Sequence, residues 1–404
     1  MKLLWYSNAP WVATGYGAQT AQVVSRLAAD GVEVAVAANY GLQGRRTNWG
    51  GVRVYPQGWD PSGWSNDVLP AHANDWFGRQ PGWVVTLCDV WVLRNPALAQ
   101  FRTAAWVPVD HMPVPPAVRR FFDMGALPVA MSQFGAAQLA RSGLDPRYVP
   151  HAIDTAVFRP GATYGGRSGR QLLGIPEDRF LVGMVANNKG RHPARKGFDV
   201  AFQAFAALRA SFPDAALYVH ADRNGTVHDV DLAALAERCR IPEDSVFFPE
   251  GYALRSGLPD DLMAAFYGAF DVLLAPSMGE GFGIPVIEAQ ACGCPVIVSE
   301  FSAQPELVGA GWTVQGQLSN DEDQQAWLFQ PFVEDVAMRL VEAREARGDR
   351  LLRDRAASWA QAFDADAVYA ARWRPLLDHM AQAATPPVLD LCGGGAVDLG
   401  LVAA

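Results

Sequence analysis

Residues 276–299, PSMGEGFGIPVIEAQACGCPVIVS, decide how this chain reads. Two carboxylates, Glu280 and Glu288, have seven residues between them, including a Gly-Phe-Gly turn and Pro285. The apolar run DVLLA (271–275) precedes them and PVIVS (295–299) follows. The order is strand, tight loop, helix, strand. Glu280 is then expected at the carboxyl end of a strand, where open α/β sheets bind ligands. Pro285 suits the first helical position, because its missing N–H is one a helix leaves unpaired there anyway. Glu288 falls within the first turn or so. Both acids are therefore expected to face one crevice beside the positive end of a helix dipole.

The same alternation extends in both directions. Upstream in the second half come FLVGMVA (180–186), a helix near 198–211, ALYVHAD (216–222), a helix near 230–240, SVFFPEG (245–251) and a helix near 260–269. The first half opens with LLWYS (3–7), a helix near 18–30 closed by Gly31, and VEVAVAA (32–38). WVVTLCD (83–89), AAWVPVD (104–110) and PVAMS (128–132) follow as further strands. Strands separated by helical stretches predict parallel, doubly wound sheets. GATYGGRSGR (161–170) reads as a linker, and 333–380 as a long helical region.

Composition narrows the function classes. The 404 residues suffice for two ordinary domains, and half of them are apolar. Apolar runs stop well short of a membrane span, and the start MKLLWYSNAPW lacks a secretory apolar segment. Cys88, Cys239, Cys292, Cys294 and Cys392 form no metal or disulfide framework, so a reducing, cytoplasmic setting is expected. The net charge of −9 argues against general nucleic-acid binding. It is uneven: residues 1–160 hold 13 basic against 10 acidic side chains. That leaves a polyanionic acceptor open.

The block at 276–299 resembles the E-x7-E signature of the retaining glycosyltransferases of family 4, within glycosyl transferases group 1. It supplies in order a strand ending in Pro-Ser, E-G-F-G, an apolar residue, proline, the second glutamate and a small-residue helix end. VPHAIDTAVFRP (149–160) resembles that family's interdomain segment, with His151 and Ala152 in place of Asn and Gly. The resemblance implies the GT-B fold: two doubly wound, Rossmann-like domains facing each other across a cleft. Residues 1–160 would form an N-terminal acceptor domain, completed by a C-terminal helix at about 359–380. Residues 161–358 would form the nucleotide-sugar donor domain, and 385–404 a mobile tail.

The resemblance also implies roles. Glu280 would contact the donor sugar, and Glu288 the ribose hydroxyls, since carboxylates accept two hydrogen bonds from a diol. Backbone N–H groups of Gly281, Phe282, Gly283 and Ile284 would reach sugar or phosphate oxygens. Arg195 and Lys196, in RHPARKGFD (191–199), match the basic pair that neutralises the donor diphosphate. Many relatives place an arginine directly after the preceding strand. Here Ala186 and Asn187 stand there, so Lys189 or Arg191 compensates, or the positive charge is lower. Gly15 and Gly17 in ATGYGAQT (13–20) would allow close backbone approach to phosphate or acceptor. His111 in VDHMPVPP (109–116) matches a histidine near the donor sugar, with Asp110 to orient it or bind the acceptor. Tyr252 would border the nucleobase. Nine of thirteen tryptophans fall in 1–106, and Trp11, Trp49, Trp59, Trp64 and Trp91 near loops offer an aromatic platform, although packing is the commoner role.

The expected activity is transfer of a sugar from a nucleotide-diphosphate sugar to a hydroxyl acceptor with retention, catalytic groups Glu280, His111 and Lys196, no metal and no cofactor. The acceptor stays open among a glycan, lipid, small metabolite, protein or modified nucleic-acid base, as does the donor's base. Three rivals share part of the pattern: a glycoside hydrolase using Glu280 and Glu288, a GT-B nucleotide-sugar epimerase, and a non-catalytic nucleotide-sugar binder.

Overall fold

A computed structural model of the chain describes residues 1–189, 194–225 and 229–383. Arg191 and the 385–404 tail, with Cys392, lie outside the described residues. The first sheet holds β1 (Lys2–Asn8), β2 (Glu33–Tyr40), β3 (Thr47–Trp49), β4 (Val52–Tyr55), β5 (Gly82–Leu87), β6 (Arg102–Val107), β7 (Leu127–Ala130) and β8 (Arg147–Tyr148). Its order is β3-β4-β2-β1-β5-β6-β7-β8, parallel except for the β3–β4 pair. The second sheet holds β9 (Leu181–Val185), β10 (Ala216–His220), β11 (Val246–Phe247), β12 (Val272–Ala275), β13 (Val296–Ser299) and β14 (Gly311–Val314). Its order is β11-β10-β9-β12-β13-β14, all parallel. The doubly wound α/β reading is thus present twice.

Parallel strands covered on both faces need apolar residues throughout. β1 buries Leu3 to Ser7 and β13 buries all of Val296–Ser299. The strand order sets the site. In the second sheet the winding reverses between β9 and β12, and in the first between β1 and β5. Crossovers leave these neighbours in opposite directions, which opens a crevice beyond their carboxyl ends. The loops after β9 and β12 carry Lys196 and Glu280, so those residues meet because of topology, not sequence proximity.

Helix boundaries differ from the sequence reading at informative places. The first helix runs Gly15–Ala29 and starts three residues early, because Thr14 caps it: its Oγ accepts from the N–H of Gly17 at 3.0 Å. The expected strand at 245–251 shrinks to Val246–Phe247, since Glu250 accepts from Tyr252 N and Ala253 N and starts helix Gly251–Ser256. The 333–380 region divides into Val333–Glu345, Arg350–Ala360 and shorter turns ending in helix Arg374–Gln382. That final helix lies on the first sheet. Trp373 packs against Trp5 (5.5 Å between centroids) and Trp106 (5.0 Å), and the Met380 carbonyl accepts from Trp83 Nε1 at 3.1 Å.

Strands β3, β4, β8 and β14 and helix Leu69–Phe77 had no counterpart in the sequence reading, and neither did one element that bears on the site. Residues 316–331 form an antiparallel hairpin, β15 (Gly316–Asp321) and β16 (Ala326–Pro331). It leaves the second sheet and reaches the first. Met112 N donates to Trp327 O (3.1 Å) and Trp327 N to Met112 O (2.9 Å).

Candidate functional site

The signature block folds as strand β12, a loop, helix Ile284–Ala291 and strand β13. Pro285 is within its first turn, and Gly283 before it has φ 117°, which only glycine adopts without strain. Glu288 is the fifth helical residue, so it lies in the second turn rather than the first. The other basic-pair element is a loop closed by Gly197 with φ 69°, ahead of helix Phe198–Ser211.

These two loops interlock. Lys196 Nζ is 2.5 Å from Glu280 Oε1, and Arg195 Nη1 is 3.7 Å from Glu280 Oε2. Arg195 also donates to Gly279 O at 2.5 Å and reaches across to Asp110 Oδ2 at 3.1 Å. Burial raises the proton affinity of Glu280, but the two cations outweigh it and hold the carboxyl below its ordinary range. Lys196 is pushed down, by burial first and by Arg195 beside it; Glu280 opposes both. Arg195 and Lys196 are balanced in the free protein by Glu280 and Asp110, so both cations stand together where an incoming diphosphate would compete for them.

Glu288 sits apart from that cluster. Its Oε2 accepts from the Tyr267 hydroxyl at 2.7 Å. Burial lifts its pKa to about 7, with Tyr267 opposing and Asp260 adding. A carboxyl poised near neutrality can ionise when a ligand supplies hydrogen-bond donors.

The first sheet brings its own groups to the facing rim. His111 Nδ1 is 2.6 Å from Asp110 Oδ1 and its Nε2 is 3.1 Å from Asp321 Oδ2. Burial disfavours charge on His111, but the hydrogen bonds and charges of Asp110 and Asp321 prevail and raise its pKa. Asp89, just beyond β5, was not singled out by the sequence pattern. Burial and Asp110 lift it to about 6, while Arg195 and His111 oppose. A strand ending in Cys-Asp was the available signal.

The halves press together around these residues. A Cβ on Gly281 would lie 2.4 Å from Pro108 Cβ, and one on Gly279 2.4 Å from Asp110 O. The two N-terminal glycines have separate situations. Gly15 is exposed and faces Ile284 Cδ1, 3.3 Å from where its Cβ would stand. Gly17 is buried against the Val12 carbonyl, only 2.1 Å away by the same measure, which is close helix–loop packing. Phe282 is buried with its ring 5.2 Å from that of His151. His151 packs on Trp106 at 4.4 Å, and burial alone drops its pKa to about 3, so it is neutral. That explains a histidine in the interdomain segment as an apolar-faced spacer.

Other sequence candidates are placed less centrally. Asn187 is exposed, and Lys189 is too. Asn188 is buried, donating to Asp222 O (2.9 Å) and Val230 O (2.7 Å), so it builds the loop. Tyr252 is 78% exposed on its short helix. Trp59 (91%), Trp11 and Trp91 are exposed, whereas Trp49 and Trp64 are partly buried. Cys88, Cys239, Cys292 and Cys294 are free thiols. Among the described residues, no helix is long and apolar enough to cross a membrane.

Comparison with known proteins bears on the fold and the family likeness. Residues 182–330 match the profile of glycosyl transferases group 1. A D-inositol 3-phosphate glycosyltransferase of Mycolicibacterium smegmatis is 26% identical over 331 residues, covering 78% of this chain and 69% of that protein. One of Segniliparus rotundus is 28% identical over 258 residues, covering 61% and 53%. The chain therefore spans about half to two thirds of the length of these curated relatives. Among solved structures, sucrose-phosphate synthase from Thermosynechococcus elongatus superposes with TM-score 0.71 at 18% identity, covering 95% of this chain and all of that one. An Anabaena protein crystallised with UDP and glucose gives 0.67 at 17%, covering 95% and 100%. The fold is GT-B, and the residues that match the glycosyl transferases group 1 profile, 182–330, hold Arg195, Lys196, Glu280 and Glu288.

Proposed function

We propose that this protein is a retaining glycosyltransferase that takes a sugar from a nucleotide-diphosphate donor and transfers it to a hydroxyl acceptor. The observation that carries the reading is the convergence of Arg195 and Lys196 on Glu280 at the β9–β12 switch point. The likeness to D-inositol 3-phosphate glycosyltransferases and to a structural neighbour crystallised with UDP-glucose supports it.

In this reading the diphosphate docks against Arg195 and Lys196, and Glu280 exchanges part of its pairing with Lys196 for the donor's sugar hydroxyls. Arg195 and Lys196 then stabilise negative charge as the nucleotide diphosphate leaves, in place of a metal ion. Glu288 ionises against the ribose diol. The leaving phosphate takes the acceptor's proton, which is consistent with transfer on the same face of the sugar. The acceptor lies on the first-sheet side, near Asp89 and Asp110, with His111 beside the donor sugar. Closure of Gly279 and Gly281 against Pro108 and Asp110 excludes water, favouring transfer over hydrolysis. With nucleotide sugars as substrate and free thiols in the chain, the cytoplasm is the proposed location.

The test is an incubation with UDP-, GDP- and ADP-sugars and a panel of hydroxyl acceptors, following nucleotide diphosphate release and the product's anomeric configuration by NMR. Acceptor-dependent release with a retained anomer supports the proposal. Release of free sugar without acceptor dependence favours a hydrolase, an altered sugar nucleotide an epimerase, and binding without turnover on any acceptor a non-catalytic binder.

A further inference from the structure

The hairpin 316–331 ends a loop of contacts that converges on one side chain. Asp321, last residue of β15, is held by its own turn: Oδ1 accepts from Gln324 N at 3.1 Å. Its other oxygen, Oδ2, is thereby aimed at His111 Nε2, 3.1 Å away. On the far side of that contact the hairpin is fastened by the two backbone hydrogen bonds between Trp327 and Met112, the residue after His111. Phe329 N adds a bond to Met278 O in the signature loop. The hairpin therefore ties the loop of Glu280 to the loop of His111.

Charge follows from geometry. A carboxylate only accepts, so an imidazole with a carboxylate at each nitrogen donates from both and is the cation. The groups facing His111 are Asp110 beside it, Asp321 from the hairpin, Asp89 from the end of β5, and Arg195 through Asp110. Three acids against one shared arginine favour that cation.

We propose that Asp321 is a positioning residue: across the cleft, it fixes the ring plane of His111 and keeps it protonated for its place beside the donor. The role of His111 at the donor rests on the function proposed above, whereas the Asp321 contact does not.

The test uses the full chain and the variant Asp321→Asn, which keeps an oxygen for Gln324 N but removes the charge. His111 is followed by ¹H–¹³C NMR titration, its signal identified among the seven histidines by its loss in His111→Gln. Asp321→Asn is expected to lower the His111 titration midpoint by about one unit, and Asp321→Glu to restore part of it. The pH profile of kcat with UDP-glucose is expected to lose activity at correspondingly lower pH, with KM for the donor changed less than about twofold. An unchanged midpoint overturns the proposal, as does a shifted midpoint with an unmoved kcat profile. Failure of the unaltered protein to turn over any nucleotide sugar sinks the glycosyltransferase reading, while the titration still decides the charge of His111.

Discussion

Glu280 and Lys196 are 84 residues apart in sequence and 2.5 Å apart in space, Oε1 to Nζ. Each arises on a different crossover, and neither would be held without the winding reversal between β9 and β12. The pair is largely buried, with side-chain exposures of 16% and 21%. Two charges removed from water are retained at a cost unless they serve something beyond packing.

Removing either partner is expected to cut transfer severely. Glu280→Ala and Lys196→Ala should each lower kcat by about 10²–10³-fold, the size of effect seen when one charge-stabilising group is deleted. Circular dichroism should show the fold intact. Transfer at the unaltered rate in either variant would contradict the assignment.

The tight approach of Gly281 to Pro108 makes cleft closure sensitive to one methyl group. Gly281→Ala needs a displacement of about an ångström, since its Cβ would lie 2.4 Å from Pro108 Cβ. A misplacement of that size at reacting groups costs on the order of 10²-fold in rate. The expected result is a loss of about that magnitude in kcat/KM, with far-UV circular dichroism unaltered. Unaltered kinetics would show that the halves need not meet here.

Glu288 predicts a pH dependence of donor binding. With its pKa lifted to about 7, it is largely protonated at pH 6 and must lose its proton to accept two hydrogen bonds from a ribose. Calorimetry with UDP-glucose, whose diphosphate does not titrate here, should show nearly one proton released at pH 6 and almost none at pH 8. The stability sign is the reverse of the usual carboxylate case. The folded state binds the proton more tightly than the unfolded chain, so stability falls as pH rises from about 4.5 to 7. Glu288→Gln should therefore gain on the unaltered protein between pH 5 and pH 8, by about 2 kcal/mol in denaturant titrations.

The C-terminal helix is anchored by a tryptophan whose loss should be costly. Trp373 is 3% exposed between Trp5 and Trp106. Trp373→Ala is expected to destabilise by about 3–5 kcal/mol in urea unfolding, the range for a large aromatic removed from a core. A change below about 1 kcal/mol would mean that this helix is not part of the first sheet's core.

What the sequence disclosed follows local physics. The strand–loop–helix–strand block at 271–299 was legible because Gly283, Pro285 and the apolar runs each permit few conformations. Helix Phe198–Ser211 was legible to the residue from its apolar spacing. Thr14 was overlooked because a Gly-rich stretch reads as loop, although a threonine three residues before Gly17 is a capping signal. The hairpin and Asp321 were invisible for a different reason: their meaning lies in contacts with Met112 and His111, more than 200 residues away, which no local periodicity encodes. NDEDQQ between two apolar-bearing runs was the one turn signal there. Glu288 and Lys196 were legible as residue types, but their altered proton affinities come from burial and could only be read once neighbours were in place.

The most direct test is a crystal of the full chain soaked with UDP-glucose, or with the nucleotide sugar that binds best. The account predicts diphosphate density against Arg195 and Lys196, sugar hydroxyls on Glu280 and ribose hydroxyls on Glu288. Density for the nucleotide sugar elsewhere on the protein, with these four side chains unengaged, would contradict it.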